Sequence, residues 1–383
     1  MGFETLQWDS TATGRRGRML PPNYTASIPP AIRDLHVDLE SAVQASAAEA
    51  TAEIARFDGE SKGALGPFAS LLLRSESAAS SQIENLTASA KAVLMAEVGD
   101  TSRQNATLIA ANTATMQAAI RLSEHLDSKA ILAMHAALLS GSHPSWAGRW
   151  RDEQVWIGGS SLSPHDAMFV PPHHDRVPGA IEDLVTFMGR TDIPPFTQTM
   201  IAHAQFETIH PFPDGNGRTG RALIHASLRN SGVTTELTVP VSAGLLADTN
   251  RYFEALSAYR EGNLNPIVGL AANASFRAID NGRRLVAELQ SHQERWRENL
   301  SGTRSDAASW RTLDLLLTQP IVDARDIQTN LGVSFPVATA AIQRLAEAGV
   351  LTRANAGLRF KKWIAADVAD ALDNFAMRAG KRT

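Results

Sequence analysis

Residues 210–221 read HPFPDGNGRTGR and place one histidine, one carboxylate, three glycines, two prolines and two arginines in twelve positions. Inside them, Gly215-Asn216-Gly217-Arg218-Thr219-Gly220 has the G-x-G-x-x-G spacing of a dinucleotide-binding turn. That fingerprint needs a buried strand directly upstream. Pro211 and Pro213 rule out a central strand there, and the preceding MIAHAQFETIH (200–210) reads as helix. The segment is therefore helix, short loop, helix, and a Rossmann fold is excluded.

The loop is nevertheless suited to an anion. Gly215 and Gly217 let backbone N–H groups approach a phosphate closely. The helix that begins at Asn216–Arg218 continues through Ala222, Leu223, Ala226 and Leu228 to a stop near Asn230-Ser231-Gly232. Its positive N-terminal end points at whatever the loop holds. Arg218 and Arg221, three apart, share one face of the first turn, and two guanidiniums there favour a polyphosphate over a single carboxylate. Asp214 is placed to hold a divalent cation, since Mg²⁺ takes one or two carboxylates plus phosphate oxygens and water. His210 is the natural general base, because its side chain titrates near neutrality. Base, metal carboxylate, anion loop and paired arginines describe nucleotidyl or phosphoryl transfer.

Around this loop the pattern is mainly α. Residues 1–30 are rich in Pro, Gly and Thr and read as an extended, wrapping arm. Ile32, Leu35, Leu39, Val43 and Ile54 recur at helical spacing, which predicts a helix from Ala31 to about Phe57. After the Gly-rich break DGESKGALG, Pro67 opens a second helix through Leu71, Leu72 and Leu73. From 101 to 300 one interruption stands out, at 148–175. There Val155-Trp156-Ile157 and Met168-Phe169-Val170 read as the two strands of a β-hairpin, turned by Gly158, Gly159 and Pro164.

The totals narrow the class. With 383 residues two or three domains are expected. A hydrophobic content of 44% with 20% charged residues describes a core-forming protein. The net charge of -4 implies no global electrostatic partner, and the lack of cysteine excludes disulfides, thiolate metal sites and Cys nucleophiles. No signal peptide and no membrane-length apolar run is visible; Arg15, Arg16 and Arg18 precede no apolar region. A cytoplasmic protein is the expectation.

The stretch at 210–221 resembles the signature of the Fic family, H-P-F-x-[DE]-G-N-G-R-x-x-R. All nine fixed positions are present: His210, Pro211, Phe212, Asp214, Gly215, Asn216, Gly217, Arg218 and Arg221. The flanking AHAQFETIH and the hairpin VWIGG…FVPP are similar too, so the resemblance spans roughly 65–285. It implies a Fic-type helical core with a β-hairpin flap, and AMP transfer from ATP to a Ser, Thr or Tyr hydroxyl of a target protein. In that scheme His210 deprotonates the hydroxyl, which attacks the α-phosphate in line, and Asp214 holds Mg²⁺. Asn216 and the loop amides take the α/β-phosphates and the arginines the β/γ end. The nucleotide site implied comprises Ile157, Gly158, Gly215, Asn216, Gly217, Arg218, Thr219, Gly220 and Arg221, with Tyr252 of NRYFEAL as a wall of the adenine pocket. A core position on an amphipathic helix is an equal reading of Tyr252. The 155–170 flap would grip an unidentified target by strand addition.

Upstream, ASSQIENL puts Ser80 and Glu84 four apart on one helix face, with Asn85 next. Alone, these are ordinary surface residues. Beside the signature, they match the family's inhibitory motif, [ST]-x-x-x-E-[GN], on a helix at about 67–90. The resemblance implies that Glu84 pairs with Arg221 and turns ATP into a non-productive pose.

Composition shifts near residue 291. Residues 305–383 carry 10 basic and 8 acidic residues, a local net of +2 against -6 for the rest. They read as a C-terminal winged helix-turn-helix domain, after an N-terminal region at 1–100 and a catalytic core at 101–290. Helices are expected around Leu313, Leu316 and Leu317, at Ala324–Leu331 and at Phe335–Ala348, then a hairpin with Arg353, Arg359, Lys361 and Lys362. DNA binding through 305–365 is not favoured. The third helix offers only Gln343 and Arg344 as long readers and includes Glu347. A protein-binding or homodimer-forming role stays open. His165, Asp166, His173, His174 and Asp175 lack the spacing of a zinc site, His203 and His225 read as helix packing, and Lys381-Arg382 as a solvated end. Two alternatives remain: a Fic variant that moves another phosphate-linked group or removes AMP, and a DNA-binding regulator with secondary Fic activity.

Overall fold

The computed structural model describes residues 1–8, 21–60, 66–160, 162–302, 304, 307–355 and 361–380. It is mainly helical, as expected. It divides into two compact units, each drawn from three stretches of the chain.

The first unit comprises Met1–Ala52, Ala114–Val233 and Thr249–Asn273. Its first element departs from the extended arm expected. Strands β1 (Gly2–Gln7) and β2 (Asn23–Ile28) pair antiparallel, with Gly2 opposite Ile28 and Gln7 opposite Asn23. The helix expected from Ala31 begins only at Ser41, as α1 (Ser41–Glu60). Pro29 and Pro30 precede the stretch. The buried carboxylate of Asp183 then accepts the backbone N–H groups of Ile32 and Arg33, at 2.6 and 3.3 Å, and so holds the stretch ahead of α1 in place.

In chain order the next helices are α2 (Ala69–Ile83), α3 (Ala90–Glu97), α4 (Gln104–Arg121), α5 (Ser128–Leu139), α6 (Val177–Met188), α7 (Pro195–Ile209) and α8 (Asn216–Asn230). They are followed by α9 (Val241–Leu246), α10 (Thr249–Arg260) and α11 (Asn265–Asn299). In the first unit α7 is central and buried almost throughout, packed against α6, α8 and α10. Tyr259 of α10 donates to Gln205 of α7 at 2.8 Å.

The flap differs from the two strands expected. Ile157 and Phe169 form a single antiparallel bridge, and Pro164–Asp166 make a 3-10 turn between them. The N-terminal hairpin props this loop: Ser27 N–H donates to Val170 at 3.0 Å, Tyr24 Oη to Gln154 at 3.3 Å, and Trp8 meets Trp156 edge-on at 5.7 Å.

The second unit comprises Glu53–Thr113, Thr234–Asp248 and Ala274–Thr383. Here α2 runs beside α9. The helix expected over 67–90 opens with a 3-10 turn at Gly66–Phe68 and stops at Ile83. The stop is at Asn85, which turns left-handed at φ 63, a conformation Asn tolerates better than most residues. Ser89 then caps α3. Asp58 is the polar anchor of the unit: its carboxylate accepts three amides and one hydroxyl from Thr235, Glu236 and Leu237.

The tail contains α12 (Ala308–Thr318), α13 (Ala324–Leu331), α14 (Phe335–Glu347) and α15 (Ala366–Gly380). Strands β3 (Ile321–Val322), β4 (Thr352–Arg353) and β5 (Trp363–Ile364) form an antiparallel sheet in the order β3-β5-β4. An Asp323–Asp326 capping box starts α13, and left-handed Gly332 ends it. Strand β3 and helix α15 had no counterpart in the sequence reading; α15 lays its apolar face on α2, α3 and α9. Arg359, Lys381, Arg382 and the arginines at 15, 16 and 18 fall outside the described residues.

Candidate active site

The loop between α7 and α8 owes its shape to its carbonyls being tied behind it. The His210 carbonyl accepts from Arg151 Nε at 2.9 Å, and the Pro211 carbonyl from the Arg151 amide at 3.0 Å. The Phe212 carbonyl accepts from Asn216 Nδ2 at 2.8 Å, and the Asp214 carbonyl meets His135 Nε2 at 3.0 Å. The amides of the first helical turn, which have no partner within a helix, are left at the mouth of the loop. A row of carbonyls facing a phosphate would repel it; fastening them on the far side is what an anion cradle requires.

Phe212 anchors the loop from below. It is fully buried, stacked on His135 at 3.6 Å and on Trp150 at 5.1 Å, a burial worth about 2–3 kcal/mol. His135 accepts from the Gly148 amide through Nδ1 at 3.1 Å, so its proton sits on Nε2 and is donated to the Asp214 carbonyl. Burial lowers its pKa to about 4, which keeps that tautomer neutral. Gly215 is the pivot. It is left-handed at φ 78, and a Cβ there would lie 2.7 Å from Leu138 Cδ2.

His210 itself adopts φ 49 and ψ 62, a left-handed conformation rare for a residue with a side chain. Its Nδ1 lies 4.0 Å from the Glu207 carboxylate, and about a fifth of its side chain stays accessible. Its pKa is pushed down to about 3, first by burial and then by the cations of Arg151 and Arg260. The imidazole is therefore a neutral base at any ordinary pH. Asp214 is half exposed; its Oδ2 lies 3.5 Å from Arg218 Nη2, and its Oδ1 accepts the Gly215 amide at 2.7 Å. Arg218 and Arg221 are both buried, at 3% and 2% exposure.

The motif residues do not all face one way. The Asn216 side chain is committed to Phe212, with Oδ1 accepting its amide and Nδ2 donating to its carbonyl. Thr219 is fully buried, and a Cβ on Gly220 would meet Glu207 and Phe206 of α7, so both lie on the packing side of α8. Tyr252 is 1% exposed, and its hydroxyl is 2.7 Å from His203 Nε2. His203 holds the Gly220 carbonyl through Nδ1 at 3.1 Å, so the pair braces α8 against α7 and α10. The neighbouring Phe253 is 49% exposed. In the flap, Ile157 is half-buried and Gly158 exposed. In the second unit, Ser80 is buried in α2, Glu84 forms its half-buried C-cap, and Asn85 is exposed.

His173, His174 and Asp175 bring their ligating atoms within 4.8 Å of one another. A convergence of three neighbouring side chains is more than their spacing in sequence suggested. His135 and Arg151 are the site residues that sequence reasoning missed. Each acts on the loop from 59 or more positions away.

Comparisons with known proteins cover this region of the chain. Residues 125–228 match the model of the Fic/DOC family, which is about a quarter of the chain. Curated relatives include protein adenylyltransferase Fic of Nematostella vectensis, 29% identical over 171 residues, covering 42% of this chain and 35% of that protein. Another is protein adenylyltransferase fic-1 of Caenorhabditis elegans, 31% identical over 152 residues, covering 39% and 27% respectively. The matched part thus spans about a third of the length of these relatives. A solved Fic family protein from Desulfovibrio desulfuricans G20 aligns over 84% of this chain and 95% of its own, with a TM-score of 0.52 and 23% identity. That likeness shows the shared fold. Among the described residues, no helix is long and apolar enough to cross a membrane.

Proposed function

We propose that this chain, which carries a Fic/DOC domain over residues 125–228, is a protein adenylyltransferase that moves AMP from ATP to a hydroxyl side chain of another protein. One observation carries the reading: His210 and the start of α8 flank a loop of which four carbonyls, those of His210, Pro211, Phe212 and Asp214, are already taken by donors within the fold. His210 takes the proton of the acceptor hydroxyl, whose oxygen then attacks the α-phosphorus as pyrophosphate leaves. The amides of Asn216 and Gly217, beyond the turn made by Gly215, hold the α/β-phosphates. Arg218 and Arg221 neutralise the polyphosphate.

Asp214 suits Mg²⁺ on its own chemistry, as a single half-exposed carboxylate beside a phosphate loop. Bound there, the ion would supply charge neutralisation on the phosphates. Thr219 and Gly220 serve the packing of α8 against α7. The exposed ring of Phe253 is better placed than buried Tyr252 to wall an adenine, and Ile157 and Gly158 would close over the nucleotide from the flap.

We also propose self-inhibition through Ser80, Glu84 and Asn85, with Glu84 pairing with Arg221 and so displacing the γ-phosphate. A charged hydrogen bond of this kind is worth about 1.5–3 kcal/mol, enough to suppress productive binding more than about tenfold. The motif's position at the end of α2 supports this reading. The test is incorporation of labelled AMP into the 383-residue chain and added lysate proteins. Glu84→Gly is expected to raise incorporation at least tenfold over the parent, and adding His210→Ala to abolish it. Equal incorporation with and without His210 would overturn the assignment.

A further inference from the structure

We propose that Arg151 is the positioning residue through which the flap fixes the orientation of His210. The inference rests on the adenylyltransferase reading and adds a coupling between target docking and the base.

Arg151 stands at the root of the flap and is 3% exposed. A buried guanidinium ordinarily has a carboxylate partner. Among the described residues Arg151 has none; it spends its donors on three carbonyls. Nε donates to His210 at 2.9 Å, Nη1 to Glu153 at 3.0 Å and Nη2 to Pro172 at 2.5 Å. Its backbone amide adds Pro211 at 3.0 Å. Glu153 lies at the entrance to the flap and Pro172 at its exit, with the Ile157–Phe169 bridge between them. One planar group therefore joins both ends of the flap to the carbonyl of the base.

The carbonyl is the point where such a tie matters. His210 is held at φ 49, a conformation that persists only when surroundings impose it. Releasing its carbonyl lets the residue relax toward ordinary dihedrals and swings the imidazole away from the acceptor hydroxyl. The chain of contacts extends outward, since Gln154 Nε2 donates to Pro171 at 2.9 Å and Gln154 accepts from Tyr24 of β2. A target strand seated on the flap would thus stiffen the ties that hold the base.

Lysine keeps the charge of Arg151 but cannot reach three carbonyls; methionine removes both. The experiment compares Arg151→Lys and Arg151→Met with their Glu84→Gly parent. It records melting temperature, Mg·ATP affinity by calorimetry, and the pH dependence of AMP incorporation. The expected result is a split. Mg·ATP affinity stays within about threefold while kcat falls about 100-fold in both variants, the usual cost of misplacing a reacting group. The charges facing His210 are Arg151, Arg260 and Glu207. Removing the first raises the acidic limb of the profile in the methionine variant, and keeping it leaves that limb in place in the lysine variant. Parallel loss of ATP affinity and kcat with a lowered melting temperature, or unchanged kcat in Arg151→Lys, would overturn the proposal. A parent that binds ATP but transfers nothing would instead refute the function on which it rests.

Discussion

Gly215→Ala isolates the loop geometry from every charged group in the site. Gly215 sits at φ 78, where an L-residue costs about 1–2 kcal/mol. The new methyl would also lie 2.7 Å from Leu138 Cδ2. Leu138 is itself 1% exposed, so its methyl has no empty space to enter, and overpacking of this kind adds about 1–3 kcal/mol. Together the two effects cost about 2–5 kcal/mol, which even at the low end is about 30-fold in an equilibrium constant. Because the strain falls at the turn itself, the loop rearranges before the domain unfolds, and the cost should appear in Mg·ATP affinity. Gly232→Ala is the control: it has φ 74 but nothing within 4 Å of the added Cβ, so it carries the backbone cost alone and stands at the far end of α8. Calorimetry on the Glu84→Gly parent should find Gly215→Ala weakened about 30-fold or more and Gly232→Ala unchanged. If Gly215→Ala binds within about threefold of the parent and melts with it, the loop is not the nucleotide cradle.

Acid should weaken the fold in two separate windows. His135, His203 and His210 are neutral when folded, with pKa values near 4, 3 and 3, whereas the unfolded chain protonates its histidines near 6.5. The unfolded state therefore binds more protons, and urea midpoints should fall steadily from about pH 6.5 toward pH 4; a flat profile there would show these imidazoles to be charged. Asp58 has the opposite origin. Burial alone would raise its pKa, but hydrogen bonds from Leu237, Glu236 and Thr235 hold it below its ordinary value, so its contribution is present above about pH 3.8 and lost only below. Asp58→Asn should cost about 2–4 kcal/mol in urea melts, and a change below about 1 kcal/mol would contradict its anchoring role. For the tail, gel shifts with random-sequence duplex at low salt should find no binding that weakens as salt rises. Phe335 and Val337 are exposed on α14, and Gln343 is engaged with Glu347 at 3.0 Å; a steep salt dependence would restore the DNA-binding reading.

The active-site loop was legible in the sequence because its chemistry is consecutive: base, carboxylate, glycines and arginines fall within twelve residues whose neighbours announce helix–loop–helix. The same locality made α13 and α14 readable, since Gly332 and Gly349 stop them at left-handed turns. What was not legible depends on partners far away in the chain. His135 and Arg151 look like any histidine on a helix and any arginine before a turn until folding brings their donors to the loop carbonyls. The strands β1 and β2 are separated by 15 residues with no hairpin turn signal, so the arm read as extended. The tie from Asp183 to the stretch ahead of α1 likewise spans some 150 positions. That Tyr252 is buried and its neighbour Phe253 exposed is likewise set by how α10 packs.

The central claim is attack at the innermost phosphorus of ATP. The direct measurement is to incubate the Glu84→Gly protein with ATP carrying its label on either the α- or the γ-phosphate, and to count label retained on protein after denaturation. The α-label should stay on the protein and be lost with His210→Ala, and the γ-label should leave as pyrophosphate. Retention of the γ-label would make the site a phosphoryl transferase and contradict the account, as would failure to retain either.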